Sequence, residues 1–149
     1  MKIRRAKLTD FRRIASIDSI AGASKPRQIW LRESIRARTV WVLAAGTIVK
    51  GYAILTRSFF QRPFIEMLYV ANDERRRGHG ECLLSRLEKA CVRYGEVWTS
   101  TNRSNQPMRL LLKERGFLRQ GEVTGLDKGD PEVFYSKHLS RKKPLKTLA

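Results

Sequence analysis

Arg75, Arg76 and Arg77 stand directly before Gly78, His79 and Gly80, where an apolar run gives way to a helical pattern. Adjacent like charges repel, and glycine is a poor helix former. A bound anion would compensate for both. A helix N-terminus carries unpaired backbone N–H groups and partial positive charge. Glycines there let a phosphate approach the backbone, because no Cβ intervenes. The stretch RRRGHG has no Gly-Lys-Ser/Thr, so it is not a nucleotide-hydrolysing loop. Nor is it a dinucleotide fingerprint, because Leu83 stands where a third glycine belongs. A surface charge cluster is the plainer alternative for any one of these arginines.

Glu66 is the second residue with chemical promise. It is the only acid in the apolar stretch FIEMLYV. Strand alternation places it on one face with Phe64, Leu68 and Val70. An acid in apolar surroundings is pushed toward its neutral form, which suits a general base. The alternatives are that it faces water or pairs with an arginine.

These residues need elements to hold them. Residues 3–8 read as a first strand, followed by Thr9 as the cap of a helix in DFRRIASIDSIA. AGASKP breaks that helix, and RQIWLRESIRAR forms a second. TVWVLAAG and IVKGYAILTRSFF make a hairpin about Gly46-Thr47. QRP is read as a loop, and FIEMLYV as the next strand. The glycine stretch opens a helix over residues 79–94, with Cys82, Leu83, Leu87, Ala90 and Cys91 on one face and Gly95 ending it. VWTSTN is a strand, NQPMRLLLKER a helix closed by Gly116, and FLRQGEV and VFYSKHL the last strands. The order β-α-α-β-β-β-α-β-α-β-β is that of a mixed α/β domain.

The chain has 149 residues and a formal net charge of +17, with 31 basic residues against 14 acidic. Such a length implies one domain, here residues 1–140, followed by a basic and flexible tail at 141–149. The charge biases partners toward anions without fixing the fold. Cys82 and Cys91 lie about 13 Å apart along one helix, too far for a mutual disulfide. They read as reduced structural residues. Residues 1–10 are too polar for a secretory signal, and no apolar run reaches membrane length. A cytoplasmic protein without membrane spans or bound metal is expected.

The pattern Arg75-x-x-Gly78-x-Gly80 resembles the acyl-CoA pyrophosphate motif of the GNAT acetyltransferase superfamily. The strand before it and the amphipathic helix after it sit as they do in that family. Asn105 at a helix start, with Gly116-Phe117 at its end, is a second match, and the element order agrees from Ile3 to about Leu139. The resemblance implies a mixed, mostly antiparallel twisted sheet flanked by helices, splayed between the fourth and fifth strands with acetyl-CoA in the split. Its pantetheine pairs with main-chain groups over Met67, Leu68, Tyr69 and Val70. Its pyrophosphate meets backbone N–H groups from Arg76 to Gly80, including His79, with help from Arg75 or Arg77. Asn105 points at the pantetheine amides.

The implied activity is acetyl transfer to a primary amine by direct attack in a ternary complex, with Glu66 as base and the N–H of Leu68 or Tyr69 for the oxyanion. Many relatives place a tyrosine proton donor where this chain has Leu112. Tyr135 is the leading substitute, with Tyr69 and Tyr94 behind it, and the thiolate can also leave unaided. His138 receives no role. Two other readings stay open: a CoA-binding relative without catalysis, and a basic nucleic-acid-binding protein. The acceptor's identity and the choice between monomer and homodimer are not fixed by these residues.

Overall fold

The computed structural model describes residues 1–141, so most of the basic tail lies outside the described residues. Eleven regular elements follow in order: β1 (Lys2–Arg5), α1 (Phe11–Ile17), α2 (Lys25–Arg36), β2 (Val40–Ala45), β3 (Ile48–Phe59), β4 (Arg62–Val70), α3 (His79–Cys91), β5 (Glu96–Asn102), α4 (Gln106–Glu114), β6 (Leu118–Val123) and β7 (Glu132–His138). The strands form one sheet in the order β1-β2-β3-β4-β5-β7-β6. Every neighbouring pair is antiparallel except β4 and β5. That exception follows from the connection, since parallel neighbours need a crossover and α3 supplies it.

Each face of the sheet has its own core. Ile14 of α1 and Leu31 and Ile35 of α2 pack on Val40, Val42, Val49, Tyr52 and Ile54. Leu83, Leu84 and Leu87 of α3 and Leu112 of α4 pack on Trp41, Leu43, Ala53, Ile65, Val97 and Val133 on the other face. On α3 the buried stripe is Leu83, Leu84, Leu87, Glu88 and Cys91, whereas Cys82 is exposed and leaves the expected face. Burial, and then the charge of Glu88, push the Cys91 thiol up to about 11, so it stays protonated and unreactive.

Several boundaries differ from the sequence reading, each for a local reason. The first strand stops at Arg5, and Leu8–Asp10 form a 3-10 turn before α1. Asp10, not Thr9, holds the N-cap position of α1, but its carboxylate makes no bond to that helix and instead closes the 3-10 turn by accepting the Lys7 N–H at 2.7 Å, while binding Arg4 at 2.8 Å. The second helix starts at Lys25, with Ser24 accepting the Arg27 N–H at 3.3 Å. Pro26 sits in its first turn, where no amide proton is needed. QRP is not a loop, because β4 already begins at Arg62. The hairpin turns on Phe60 and Gln61, both left-handed with φ of 51° and 63°. Two consecutive residues of that kind match the twist of the flanking strands.

Candidate functional site

The sheet opens at the middle of β4. Phe64 pairs with Trp98 and Ile65 with Thr99, and the β4–β5 ladder ends there. The Thr99 hydroxyl donates to the Ile65 carbonyl at 2.9 Å and closes the last rung. From Met67 to Val70, β4 pairs only with β3. One main-chain edge of these residues therefore borders a slot between β4 and β5.

A bulge sits at the mouth of this slot. Ile54 faces Met67 and Leu55 faces Ile65, so Glu66 is the extra residue on β4. The bulge breaks the alternation that the sequence reading assumed. Ile65 and Leu68 pack with α3, whereas Met67 and Tyr69 pack with the α1–α2 core. Glu66 thus does not share a face with Leu68 and Val70. Its Oε1 accepts the Thr56 hydroxyl at 2.8 Å and the Ser58 hydroxyl at 2.7 Å, both from β3. Among the described residues, no arginine or lysine pairs with it.

Gly78 takes the N-cap position of α3 with φ of 78°, a left-handed conformation that side chains disfavour. A Cβ built there meets nothing within 4 Å, so the space above it is open. The helix's opening turn is closed by the Cys82 N–H, which donates to the Gly78 carbonyl at 3.0 Å. The N–H groups before it are those a helix start leaves unpaired. Gly80 has a different reason: its Cβ would meet Leu111 at 3.3 Å, with Leu68 and Val70 behind. It lets α3 sit close to α4 and β4.

The three arginines are not equivalent. Arg75 donates to the Val70 carbonyl at 3.3 Å and lies over the Tyr69 ring, 5.6 Å from its centroid. Arg76 adopts a left-handed φ of 61° and is exposed. Arg77 reaches Glu74 at 3.4 Å. The His79 side chain is buried, with its Nε2 3.1 Å from the same carboxylate. Lys50 completes the cluster at 2.6 Å. Hydrogen bonds from Lys50 and then His79 hold the Glu74 carboxyl below its ordinary range. Glu74 braces the turn from below and leaves the backbone of His79, not its ring, available to a ligand.

On α4, Asn105 is a cap: its Oδ1 accepts the Met108 N–H at 3.3 Å. That bond commits the side-chain oxygen which the resemblance had directed at a ligand. Leu112 is fully buried in the α3–α4 core. Tyr135 lies in that core too, beneath α4, and its hydroxyl accepts from Arg109 at 3.2 Å. Glu66 and Tyr135 therefore approach the sheet from opposite faces. Tyr94 is stacked by Arg57 and Arg93 at the far end of α3, away from the slot.

Beside Glu66, on the face not covered by α3 and α4, Phe59, Phe64, Trp98 and Phe134 form a contiguous aromatic floor with centroid spacings of 4.8–6.2 Å. The opposite wall is Tyr69, whose hydroxyl donates to Ser19 Oγ at 3.2 Å. Asp18 fixes this wall. It is buried, binds Arg27 at 3.0 Å, and accepts the Tyr52 hydroxyl and the Ile20 N–H. Burial alone would raise its pKa, but those hydrogen bonds and the Arg27 charge reverse the effect and hold it below the ordinary value.

The Acetyltransferase (GNAT) family model matches residues 8–117. The chain belongs to the GNAT acetyltransferase family. A GNAT-family acetyltransferase from Bacillus cereus is 27% identical, superposes with a TM-score of 0.85, and is matched over 94% of this chain and 98% of its own. The ribosomal-protein-S18-alanine N-acetyltransferase of Escherichia coli shares the fold at 17% identity and a TM-score of 0.77, over 97% of each chain. YncA of Salmonella typhimurium, solved with its cofactor acetyl-CoA, shares it at 24% identity and 0.74, over 96% of each. A comparison with curated protein sequences finds no significant match.

In this GNAT chain, three contributors to the site escaped the sequence reading. Thr56 and Ser58 hold Glu66, and only the strand register brings them to it. Gly51 faces Val70 across the β3–β4 ladder, and a Cβ on it would lie 2.9 Å from the Tyr69 carbonyl and 3.2 Å from Leu83. A glycine inside a strand of bulky residues was the available signal for that close approach.

Proposed function

We propose that this chain moves an acetyl group from acetyl-CoA to a primary amine, by direct attack within a ternary complex. The observation that carries the reading is the pairing of two features on one strand-turn-helix unit. β4 keeps a free main-chain edge from Met67 to Val70, and the unit ends in the open N-terminus of α3 at Gly78. The edge suits an extended chain of amides, and the helix start suits a pyrophosphate. Acetyl-CoA supplies the activated thioester. The acetyl-CoA bound to YncA supports the same ligand here.

The chain's own residues then divide the work. The N–H groups of Arg76 to Gly80 bind phosphate oxygens, with Arg75 and Arg76 adding charge at the rim. The main-chain edge at Leu68 and Tyr69 orients the donor, and the N–H of whichever of the two points into the slot meets the carbonyl oxygen as charge develops on it. An attacking amine must lose a proton, and Glu66 receives it, directly or through water. Both protein hydrogen bonds to Glu66 end on Oε1, which leaves Oε2 for this task. Thr56 and Ser58 keep the carboxylate oriented. Tyr135 stands on the α4 side as the proton donor for the departing thiolate, and a thiolate can also leave without one.

The acceptor enters over the aromatic floor of Phe59, Phe64, Trp98 and Phe134. An alkylammonium is attracted to such ring faces before it is deprotonated. The test is release of free CoA thiol from acetyl-CoA in the presence of small amines, amino acids and peptides with free N-termini. Acceptor-dependent release supports the proposal. CoA binding in calorimetry without turnover on any acceptor would leave a binding protein instead.

A further inference from the structure

A cleft away from the glycine turn gathers four arginines without an acidic partner among the described residues. It lies under the C-terminal end of α3 and is lined by Arg5, Arg38, Arg57 and Arg93 together with Thr39 and Thr56. Among the described residues, no carboxylate lines it. Among the same residues, none of these four arginines has an acidic partner within ion-pair distance. The acids elsewhere are largely engaged: Asp10 with Arg4, Asp18 with Arg27, Glu74 with Lys50, and Glu88 with Arg115 and Lys137.

Three of the four guanidinium groups, those of Arg5, Arg57 and Arg93, are also held in place. Arg5 and Arg86 both stack on Trp41, at 3.9 and 4.6 Å from its ring. Arg57 and Arg93 both stack on Tyr94, at 4.6 and 4.7 Å. Arg5 is tied further to the Arg38 carbonyl at 2.6 Å, and Arg57 to that of Gln61 at 3.2 Å. Stacking fixes the plane of each group and leaves donors on its edge for a partner. Such a cluster opposes itself: burial, then the nearby charges of Arg38 and Arg86, pull Arg5 below the ordinary arginine value. Arginines arranged in this way are relieved by phosphates.

We infer that this cleft docks the phosphodiester backbone of a nucleic acid, separately from the acetyl-transfer slot. The 13 residues of α3 place the cleft roughly 20 Å from the glycine turn where the pyrophosphate is proposed to sit, although Thr56 of β3 borders both the cleft and Glu66. The spread of charge argues for a polymer over a small anion. Two aromatic platforms each carry a pair of arginines, and the chain as a whole has a net charge of +17. A polyanion with regularly spaced phosphates neutralises such an array, with counterion release as the driving force.

The test uses the full chain and fluorescein-labelled RNA and DNA of about 16 nucleotides, by polarisation across a salt series. Arg57→Glu/Arg93→Glu is compared with two doubles of equal charge change. Arg12→Glu/Arg13→Glu lies on α1, on the other face of the sheet, and Arg75→Glu/Arg76→Glu lies at the glycine turn. Circular dichroism confirms that each variant is folded, and Arg57→Gln/Arg93→Gln serves if charge reversal unfolds the chain. The cleft variant should weaken binding at least about tenfold and flatten the log–log salt slope by about 1.5, because two phosphates are no longer neutralised by arginine. The other doubles should stay within about threefold, since each removes charge at a place the polymer does not touch. The RNA and DNA arms show which polymer is preferred. Any result in which the cleft variant is not the weakest of the three overturns the inference. So does tighter, cleft-dependent binding to phosphatidylserine vesicles than to either nucleic acid.

Discussion

At Glu66 one inserted residue decides the chemistry. The β-bulge turns its carboxylate toward Thr56 and Ser58 and away from the side of Leu68 and Val70. The acid itself was legible, because a lone carboxylate in FIEMLYV stands out. Its direction was not, because period-two reasoning has no way to see a bulge. Glu66→Gln should keep acetyl-CoA affinity and lose about 10²–10⁴-fold in rate. The wild-type rate should fall toward acid pH, and this acidic limb should flatten in the variant. Rates and calorimetry on the same preparation test both parts. Gly78→Val should do the reverse. A β-branched residue at φ of 78° is strained, and its side chain enters the open space over the helix start. Acetyl-CoA affinity should fall with the fold intact, and an unchanged dissociation constant would remove the turn from the site.

At the scale of the element, α3 works only because two glycines let it approach. Gly80 admits Leu111 of α4, and Gly51 admits Leu83 of α3 against β3. The helix was readable from its apolar spacing, but its height above the sheet depends on a glycine far away in sequence. Gly51→Val places a methyl-bearing Cβ against backbone, which cannot rotate aside. It should cost about 1–3 kcal/mol, read as a lower denaturation midpoint. The fourth helix gives the opposite lesson. Leu112 stands where the resemblance implies a tyrosine, and on that resemblance alone Leu112→Tyr would bring a modest gain in turnover at most. The structure corrects this, because Leu112 is fully buried among Leu83, Leu87 and Phe117. A phenol there is overpacked and brings a hydroxyl into an apolar core. That variant should be destabilised by a similar amount, with no gain in turnover.

Across the whole molecule, the charge was visible in the sequence and its arrangement was not. Acids and bases are interspersed along the chain, yet folding gathers carboxylates into structural hubs and leaves arginines to line the cleft. Asp18 is the hub whose loss spreads furthest, since it joins the end of α1 to Arg27 of α2 and Tyr52 of β3. The Tyr52 hydroxyl is pushed well above its ordinary range, by burial first and then by its bond to Asp18, so it remains a donor. The Asp18 carboxyl is held below its ordinary value. The stability it contributes is therefore fully present above the unfolded-state pKa of about 3.9 and is lost as pH falls through the lower folded value. Asp10, held down mainly by Arg4, contributes with the same sign. Acid also raises the net positive charge of a chain that already carries +17, and self-repulsion destabilises in the same direction. The two effects separate by salt and by mutation. Added salt screens the diffuse repulsion but scarcely reaches a carboxylate with no exposed surface. Asp18→Asn leaves Arg27 half-partnered, and should cost about 3 kcal/mol near neutral pH, or roughly 6–12 °C in Tm. Its Tm should then fall less steeply than that of the wild type between about pH 5 and pH 3, at low and high salt alike. Parallel curves for the two proteins would assign the acid sensitivity to the arginine-rich surface, and would leave Asp18 a packing residue without a titrating role.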